Sequence, residues 1–449
     1  MAEKKKAQFL NSFYHRQRFE DGKLVEPDRL EIVFRNLETG KKRVQSIEKP
    51  RINFYQLREE YEENMKHYQD YIERDKVIER TSYFSELPET LARLSGISDA
   101  EIYNMRREGK GKTFNKFHQM PIFYSSDIDI QDYYKGLFLD KYDSDGFYLT
   151  KGYFDIEVDT KGYEGFPDEE EAPCPVNALT YVNEENNTAY VLLLRNDKNP
   201  LIKELEDNIE EFRKEVKEEF DELYGEFEYR YLFFDTEVGL ITEFFRLVND
   251  LQPDFMLAWN QKFDVVTMIN RLKHHGIDPE DVICHPDFKT KKCYFNVDKK
   301  HSNPEDRNDF FDCSSYSYYA DQLLFYAQLR KGLGKKESYT LNAIANEELK
   351  DEKIDYTEVG TLSELPYIDY KMFVKYNIKD VFLCYKLEQK NQDVFLMYTI
   401  AHMTRTRLSK AMKKMAVSLN LLFLQARICL LLPLIVELPF STVHLLQDR

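Results

Sequence analysis

Apolar and polar residues alternate along residues 28–55, DRLEIVFRNLETGKKRVQSIEKPRINFY, with a break at Glu38-Thr39-Gly40. A period of two interrupted by a glycine-bearing turn predicts a β-hairpin, with another strand after it. Residues 56–108 are polar and read as helical. A second β-rich stretch starts near Gly146, and within it NALTYVNEENNTAYVLLL (177–194) predicts a hairpin turning at Asn186-Asn187. Residues 202–223 carry Glu and Lys four apart, the spacing of a solvated helix. A strand is expected over 229–234, a helix over 240–251, a strand over 254–259 and a helix over 261–275, where Gly276 is a natural stop. The polar segment 284–312 reads as an extended hairpin loop. Helices are expected over 317–331 and 338–348, and a long one over 366–390. In the last, Tyr370, Phe373, Val374, Ile378, Val381, Phe382 and Tyr385 form one apolar stripe.

One strand interrupts its own pattern. YFDIEVDT (153–160) places Asp155 and Glu157 inside an apolar run. Alternation puts Phe154, Ile156 and Val158 on one face and Tyr153, Asp155 and Glu157 on the other. Two carboxylates then point the same way and repel, and burying either is costly. The arrangement calls for something positive between them. Alone, the stretch also fits two solvated charges on an edge strand.

The chain has 449 residues, room for two or three domains, and its 42% hydrophobic and 14% aromatic content is enough for a real core. Lys and Arg number 63 against 80 Asp and Glu, a net charge of −17. Such acidity argues against a general nucleic-acid coat or a membrane-surface protein. It leaves room for an enzyme that grips one strand end through metal ions and a local basic groove. Lys289, Lys291 and Lys292 are candidates for that groove, and equally for solvated surface. The 6 cysteines contain no Cys-x-x-Cys pair and indicate reduced thiols in a cytosolic setting. Cys284, His285, Cys293, His301 and Cys313 lie close in sequence at spacings that fit no zinc pattern. The start, MAEKKKAQFL, has no apolar signal region. ICLLLPLIV (428–436) is interrupted by Pro433 and is far short of the roughly 20 residues that span a bilayer.

Two further acidic positions give the first pair a context. WNQKFD (259–264) sets Asn260 and Asp264 across a strand-to-helix junction, with Asp264 in the first turn, where the helix dipole favours a negative charge. YNIKD (376–380) sets Tyr376 and Asp380 four apart, on one face of a helix. Each alone is ordinary capping or helix surface. Together, four carboxylates are what two hard divalent ions need. Two ions about 4 Å apart can bind one phosphodiester, activate a water on one side and stabilise the leaving oxygen on the other. Tyr376 could hold the attacking water. Asp235-Thr236-Glu237 and Asp127-Ile128-Asp129 are competing acidic pairs. The first is more simply a helix N-cap, because a helix follows at once.

In order and spacing, DIEV (155–158), WNQKFDVVTMINR (259–271) and YNIKDV (376–381) resemble the three exonuclease motifs of family B DNA polymerases, above all of the bacteriophage branch. PDFMLAWN before the second motif, SYTLNAIA (338–345) before the third and the N-terminal hairpin ending in NFY are similar too, so the likeness covers residues 25–415. It implies a metal-dependent 3′→5′ proofreading exonuclease acting on single-stranded DNA ends, with two divalent ions, Mg²⁺ or Mn²⁺. Asp155, Glu157 and Asp380 would hold the ion beside the attacking water, Asp155 and Asp264 the second, and Tyr376 would orient the nucleophile. Asn260 would touch the DNA backbone. Phe166, in GFPD, would stack on a base at the frayed end, with Phe263 also on the substrate side.

The implied fold is α/β. A ribonuclease H-like exonuclease domain with a mixed sheet (141–392) follows a β-rich α+β amino-terminal domain (1–140) and precedes a helical continuation with an atypical apolar tail (393–449). Segment 284–312 lies where the family often carries a β-hairpin that helps part template from primer. Implied partners are DNA, as a single-stranded 3′ end or a primer–template, with a separate polymerase subunit and a sliding clamp. The implied location is the cytoplasm, that of the host for a phage protein. The family's polymerase motifs are not found, so the expectation is a truncated or split polymerase. The alternatives are a non-catalytic DNA-binding or docking subunit of a split polymerase and a related exonuclease acting on RNA.

Overall fold

A computed structural model describes residues 4–21, 23–62 and 73–411. Its N-terminal part runs through strands β1 (Ala7–His15), β2 (Arg18–Glu20), β3 (Lys23–Glu26), β4 (Arg29–Asn36), β5 (Lys42–Glu48) and β6 (Arg51–Leu57), helix α1 (Glu59–Glu62), β7 (Val77–Tyr83), α2 (Leu87–Leu94), α3 (Asp99–Arg107), β8 (Phe123–Tyr124) and α4 (Ile130–Lys141). β4 and β5 form the expected hairpin, in register from Arg29↔Glu48 to Arg35↔Lys42. β1 adds to its other side, while β6 centres a separate sheet in the order β7-β6-β8. The helical reading of residues 56–108 therefore fails at Val77–Tyr83. That segment pairs along its whole length with β6, and its Val77, Ile78 and Thr81 suit a pleated surface better than a helix. Residues 63–72 of the same reading lie outside the described residues.

The second part continues with β9 (Lys151–Val158), β10 (Val176–Asn183), β11 (Thr188–Leu194), α5 (Pro200–Asp207), α6 (Ile209–Tyr224), β12 (Glu228–Phe234), α7 (Glu237–Leu251), β13 (Phe255–Ala258) and α8 (Gln261–His274). Next come α9 (Pro279–Ile283), β14 (Cys293–Asn296), β15 (Phe310–Cys313), β16 (Tyr318–Asp321), α10 (Gln322–Leu329), α11 (Leu341–Leu349), α12 (Leu365–Ile368), α13 (Tyr370–Asn391), α14 (Asp393–Met403) and α15 (Leu408–Ala411). Six strands make one mixed sheet, β12-β11-β10-β9-β13-β16. The β9-β10-β11 meander is antiparallel, and β12, β13 and β16 join in parallel. This is the α/β architecture with a mixed sheet that a ribonuclease H-like exonuclease requires.

Both faces of the sheet are buried. Tyr153, Ala178, Val182, Val191 and Leu193 pack toward α6 and α13, and Phe154, Ile156, Leu179, Tyr181 and Leu192 toward α7 and α8. Two sequence readings change here. Residues 202–223 are two helices rather than one solvated helix, and α6 buries Phe212, Val216, Phe220 and Tyr224 at a spacing of four. Residues 317–331 begin with a strand, because Tyr318–Asp321 pairs in parallel with β13 before α10 starts. In YYADQLLFYAQL the pair Asp321-Gln322 interrupts the apolar residues and marks the transition, with Asp321 capping α10.

Charged side chains fasten the two parts together inside the core. Arg35 on β4 donates twice to Asp254, at 2.8 and 2.7 Å. Lys42 reaches the same carboxylate at 2.7 Å, as does the Thr150 amide at 2.8 Å. Lys135 on α4 is 3% exposed and donates to the carbonyl oxygens of Ala401 (2.8 Å) and Thr406 (2.6 Å) beyond α13. Among the described residues no helix is long and apolar enough to cross a membrane. The apolar tail expected over residues 416–449 lies outside the described residues.

Candidate active site

The site forms where β9 runs under α13. β9 is interior, flanked by β10 and β13, so Asp155 and Glu157 are not solvated charges on an edge. Asp155 lies opposite Thr180 and Glu157 opposite Ala178. α13 crosses this face and brings Tyr376 and Asp380 down on it, as their spacing of four predicts. One carboxylate oxygen from each of Asp155, Glu157 and Asp380 falls within 4.8 Å of the other two. Asp155 and Glu157 are half-buried, and Asp380 is buried.

Crowded buried carboxylates resist ionisation. Burial, then Asp380, pushes Asp155 up to about 7, against the pull of Lys353 and Asn377. Glu157 is pushed well above its ordinary range by burial and by Asp155 and Asp380. Asp380 is raised by burial although Lys353 opposes it. Asp264 sits in the first turn of α8, as expected, and is 3% exposed. It stands outside the close trio but within its field: burial, then Asp155, Asp321 and Glu157, raise it well above its ordinary value. Two buried oxygens, Asp264 Oδ2 and Asp380 Oδ1, have no hydrogen-bond partner among the described residues.

The positive partner that the β9 carboxylates call for is Lys353, in the loop between α11 and α12. Its Nζ donates to Asp380 Oδ2 and, at 3.0 Å, to Tyr376 Oη. Burial pulls its ammonium down, but Asp380, Tyr376 and Asp155 outweigh that and hold it protonated. The sequence offered no signal for it: LKDEKIDYTE (349–358) is a polar stretch in which any of several charges could face inward. Asn377 was also missed, although it lies inside YNIKD. It is fully buried and donates to Asp155 Oδ2 at 3.0 Å. Asp321 is the third omission. It caps α10 and accepts the Asn260 amide at 3.3 Å, and burial raises it to about 6. Asn260 itself adopts φ 69°, ψ 51°, a left-handed conformation that asparagine tolerates, and its side chain is exposed at the start of α8.

Phe166 is 77% exposed, so it is not a core ring; it rests against Phe263 with centroids 5.0 Å apart. The competing acidic pairs have structural duties. Thr236 caps α7 through the Gly239 amide, and Glu237 accepts from Arg271, His275 and the Val176 amide. Asp129 caps α4. Lys289, Lys291 and Lys292 each have an acidic partner, Glu48 at 3.7 Å, Asp281 and Asp312 respectively. Segment 284–312 forms the expected hairpin, with Cys293 paired to Cys313 across β14 and β15. Among the described residues, the carboxylate trio is the only group of three or more Asp, Glu, His or Cys placed to hold a metal ion, so the cysteine-rich stretch forms no such site.

Residues 103–344 match the family described as DNA polymerase family B, exonuclease domain, a span that includes β9 and α8 and stops before α13. The DNA-directed DNA polymerase of Escherichia phage RB69 is 26% identical over 248 residues, which is 54% of this chain and 26% of that polymerase. The chain thus spans about a quarter of the length of this curated relative. Because that family match covers more than half its length, the chain belongs to the family B DNA polymerases and carries their exonuclease domain.

Proposed function

We propose that this chain removes nucleotides one at a time from the 3′ end of single-stranded DNA, as the metal-dependent editing activity of a family B DNA polymerase. The observation that carries this reading is the convergence of Asp155, Glu157 and Asp380 to within 4.8 Å. Three carboxylates at that spacing, faced by one lysine and with unpartnered oxygens on Asp264 and Asp380, cannot all ionise until a further cation joins them. All the donors are hard oxygens, which suits Mg²⁺ or Mn²⁺. In this reading Asp155, Glu157 and Asp380 hold one ion, and Asp155 and Asp264 a second. When bound, the ions supply a nucleophilic water at neutral pH and stabilise charge on the phosphate.

The protein's own groups do the rest. Lys353 donates to Tyr376 Oη and the Tyr376 hydroxyl hydrogen-bonds Asp380, so the phenol is held at the carboxylate cluster, where in this reading it would turn its proton to the attacking water. Asn260, exposed at the first turn of α8, meets the phosphate backbone. The Phe166 ring, backed by Phe263, stacks on the terminal base without regard to its identity. The raised carboxylates hold protons until an ion displaces them, so ion binding releases protons. Residues 1–140 are read as the amino-terminal domain, 141–392 as the exonuclease domain and 393–449 as a continuation. DNA is the substrate. A polymerase module, joined to this chain or separate from it, is the natural partner.

The test is a gel assay of the purified chain with a 5′-labelled single-stranded oligonucleotide and Mn²⁺, without nucleotides. The expected result is a descending ladder that Asp155→Ala abolishes while the far-ultraviolet circular dichroism is unchanged. Intact DNA with a folded chain would refute the activity and leave a DNA-binding subunit. Near-normal cleavage by Asp155→Ala would refute the residue assignment.

A further inference from the structure

Asp155 is the ligand shared by both ions in the reading above, so the rotation of its carboxylate matters more than that of any other. That rotation is set by two residues buried beneath it. Asn377 and Thr180 are each 0% exposed. Thr180 stands directly opposite Asp155 in the β9–β10 register. Its Oγ1 donates to Asn377 Oδ1 at 2.5 Å. Asn377 Nδ2 in turn donates to Asp155 Oδ2 at 3.0 Å and lies 3.4 Å from the Asp155 carbonyl oxygen.

We infer that Thr180 and Asn377 are positioning residues, a two-step hydrogen-bond relay from β10 through α13 that fixes the Asp155 carboxylate for ion binding. The argument rests on donor and acceptor capacity. A threonine hydroxyl has one proton, and here it goes to the amide oxygen. The hydroxyl could also accept, so the orientation of the Asn377 amide is fixed at its other end: its NH₂ faces two acceptors, the Asp155 carboxylate and carbonyl oxygens, and flipping would set the amide oxygen against both. The relay commits Asp155 Oδ2 to a neutral donor and leaves the other oxygen uncommitted. A leucine at 377 would fill the space but leave Asp155 free to swing. An aspartate there would add a fourth negative charge to the trio. Partners of this kind, which touch a ligand and not the metal, typically change metal affinity or activity by about 10–100-fold when removed.

This inference depends on the trio being a divalent-ion site, so the experiment measures ion binding directly. Mn²⁺ is titrated calorimetrically into the full chain and into Asn377→Leu, Thr180→Val and the double variant, with circular dichroism as the check of fold. Asn377→Leu is expected to weaken Mn²⁺ binding by about 10–100-fold. Thr180→Val, which exchanges a hydroxyl for a methyl, should weaken it by less. The double variant should be no weaker than Asn377→Leu, because Thr180 acts only through Asn377. In cleavage assays kcat should fall while KM for DNA holds, a split that a merely structural role would not produce. Wild-type Mn²⁺ affinity in folded Asn377→Leu and Thr180→Val would overturn the relay and leave the ion site standing. If Asn377→Leu does not fold, Thr180→Val decides: weakened binding supports the relay and unchanged binding overturns it. No Mn²⁺ binding by the unaltered chain would overturn the ion-site reading and the relay with it.

Discussion

Replacing Lys353 with methionine tests whether a single cation balances the carboxylate cluster. The side chain of Lys353 is 29% exposed and that of Asp380 is 3% exposed, and the ammonium touches both Asp380 and Tyr376. Removing one partner of a buried ion pair costs about 3–5 kcal/mol, because the other charge stays buried and uncompensated. Partial exposure of Lys353 places the metal-free loss lower, at about 2–3 kcal/mol near pH 8. The loss must depend on pH. Asp155 titrates at about 7 in the folded chain and lower when unfolded. For a carboxylate raised on folding, the folded state binds more protons, so stability falls as pH rises from the unfolded value through the folded one. Near pH 5.5 Asp155 keeps its proton, the cluster carries less charge and the variant should lose only about 1 kcal/mol. Saturating Mn²⁺ should close most of the gap, since the ion replaces the missing charge. The assay is thermal unfolding of Lys353→Met and the unaltered chain at both pH values, with chelator and with Mn²⁺. An equal loss at both pH values, untouched by Mn²⁺, would show that Lys353 only fills space.

Phe166→Ala should weaken single-stranded DNA binding by about 1–3 kcal/mol whatever the terminal base, as read by fluorescence anisotropy in Ca²⁺. Its melting temperature should not move, because the ring is already 77% exposed. Asp254→Asn should cost about 3–5 kcal/mol in thermal or denaturant unfolding, since Arg35 and Lys42 would keep their burial and lose their charge partner. Mn²⁺ affinity, followed calorimetrically, should rise between about pH 6 and 8 with net proton release, because Asp155 must ionise to bind.

Much of this site is legible in the sequence because its parts obey short-range rules. Asp155 and Glu157 share a strand face, Asp264 opens a helix, and Tyr376 and Asp380 are one helical turn apart. Lys353 was not legible, since it lies in an irregular loop whose course is set by packing against α13 rather than by any period. The strand at Val77–Tyr83 was lost to its run of polar residues, Glu79, Arg80 and Thr81, exposed on the edge of a small sheet. The strand at Tyr318–Asp321 was lost for the opposite reason: it is short and buried, as is much of α10 behind it, so the apolar residues on either side of the Asp321 cap read as one helix. The left-handed backbone of Asn260 follows from neither pattern, because its amide is held by Asp321, sixty-one positions away.

The burial of Lys135 bears on how the chain is made. Its two acceptors, Ala401 and Thr406, lie 266 and 271 positions downstream. At a synthesis rate of roughly 5–20 residues per second, the ammonium waits roughly 13–53 s for the carbonyl groups that satisfy it. Tyr398, which hydrogen-bonds the Phe9 carbonyl oxygen across 389 positions, arrives equally late. During that interval the amino-terminal sheets cannot close over Lys135 without leaving a charge unpaired or stripping its proton, the direction in which burial already pulls it in the finished fold. A nascent chain cut short after α13 would be caught in that open condition, so the first residues made are among the last to be sealed.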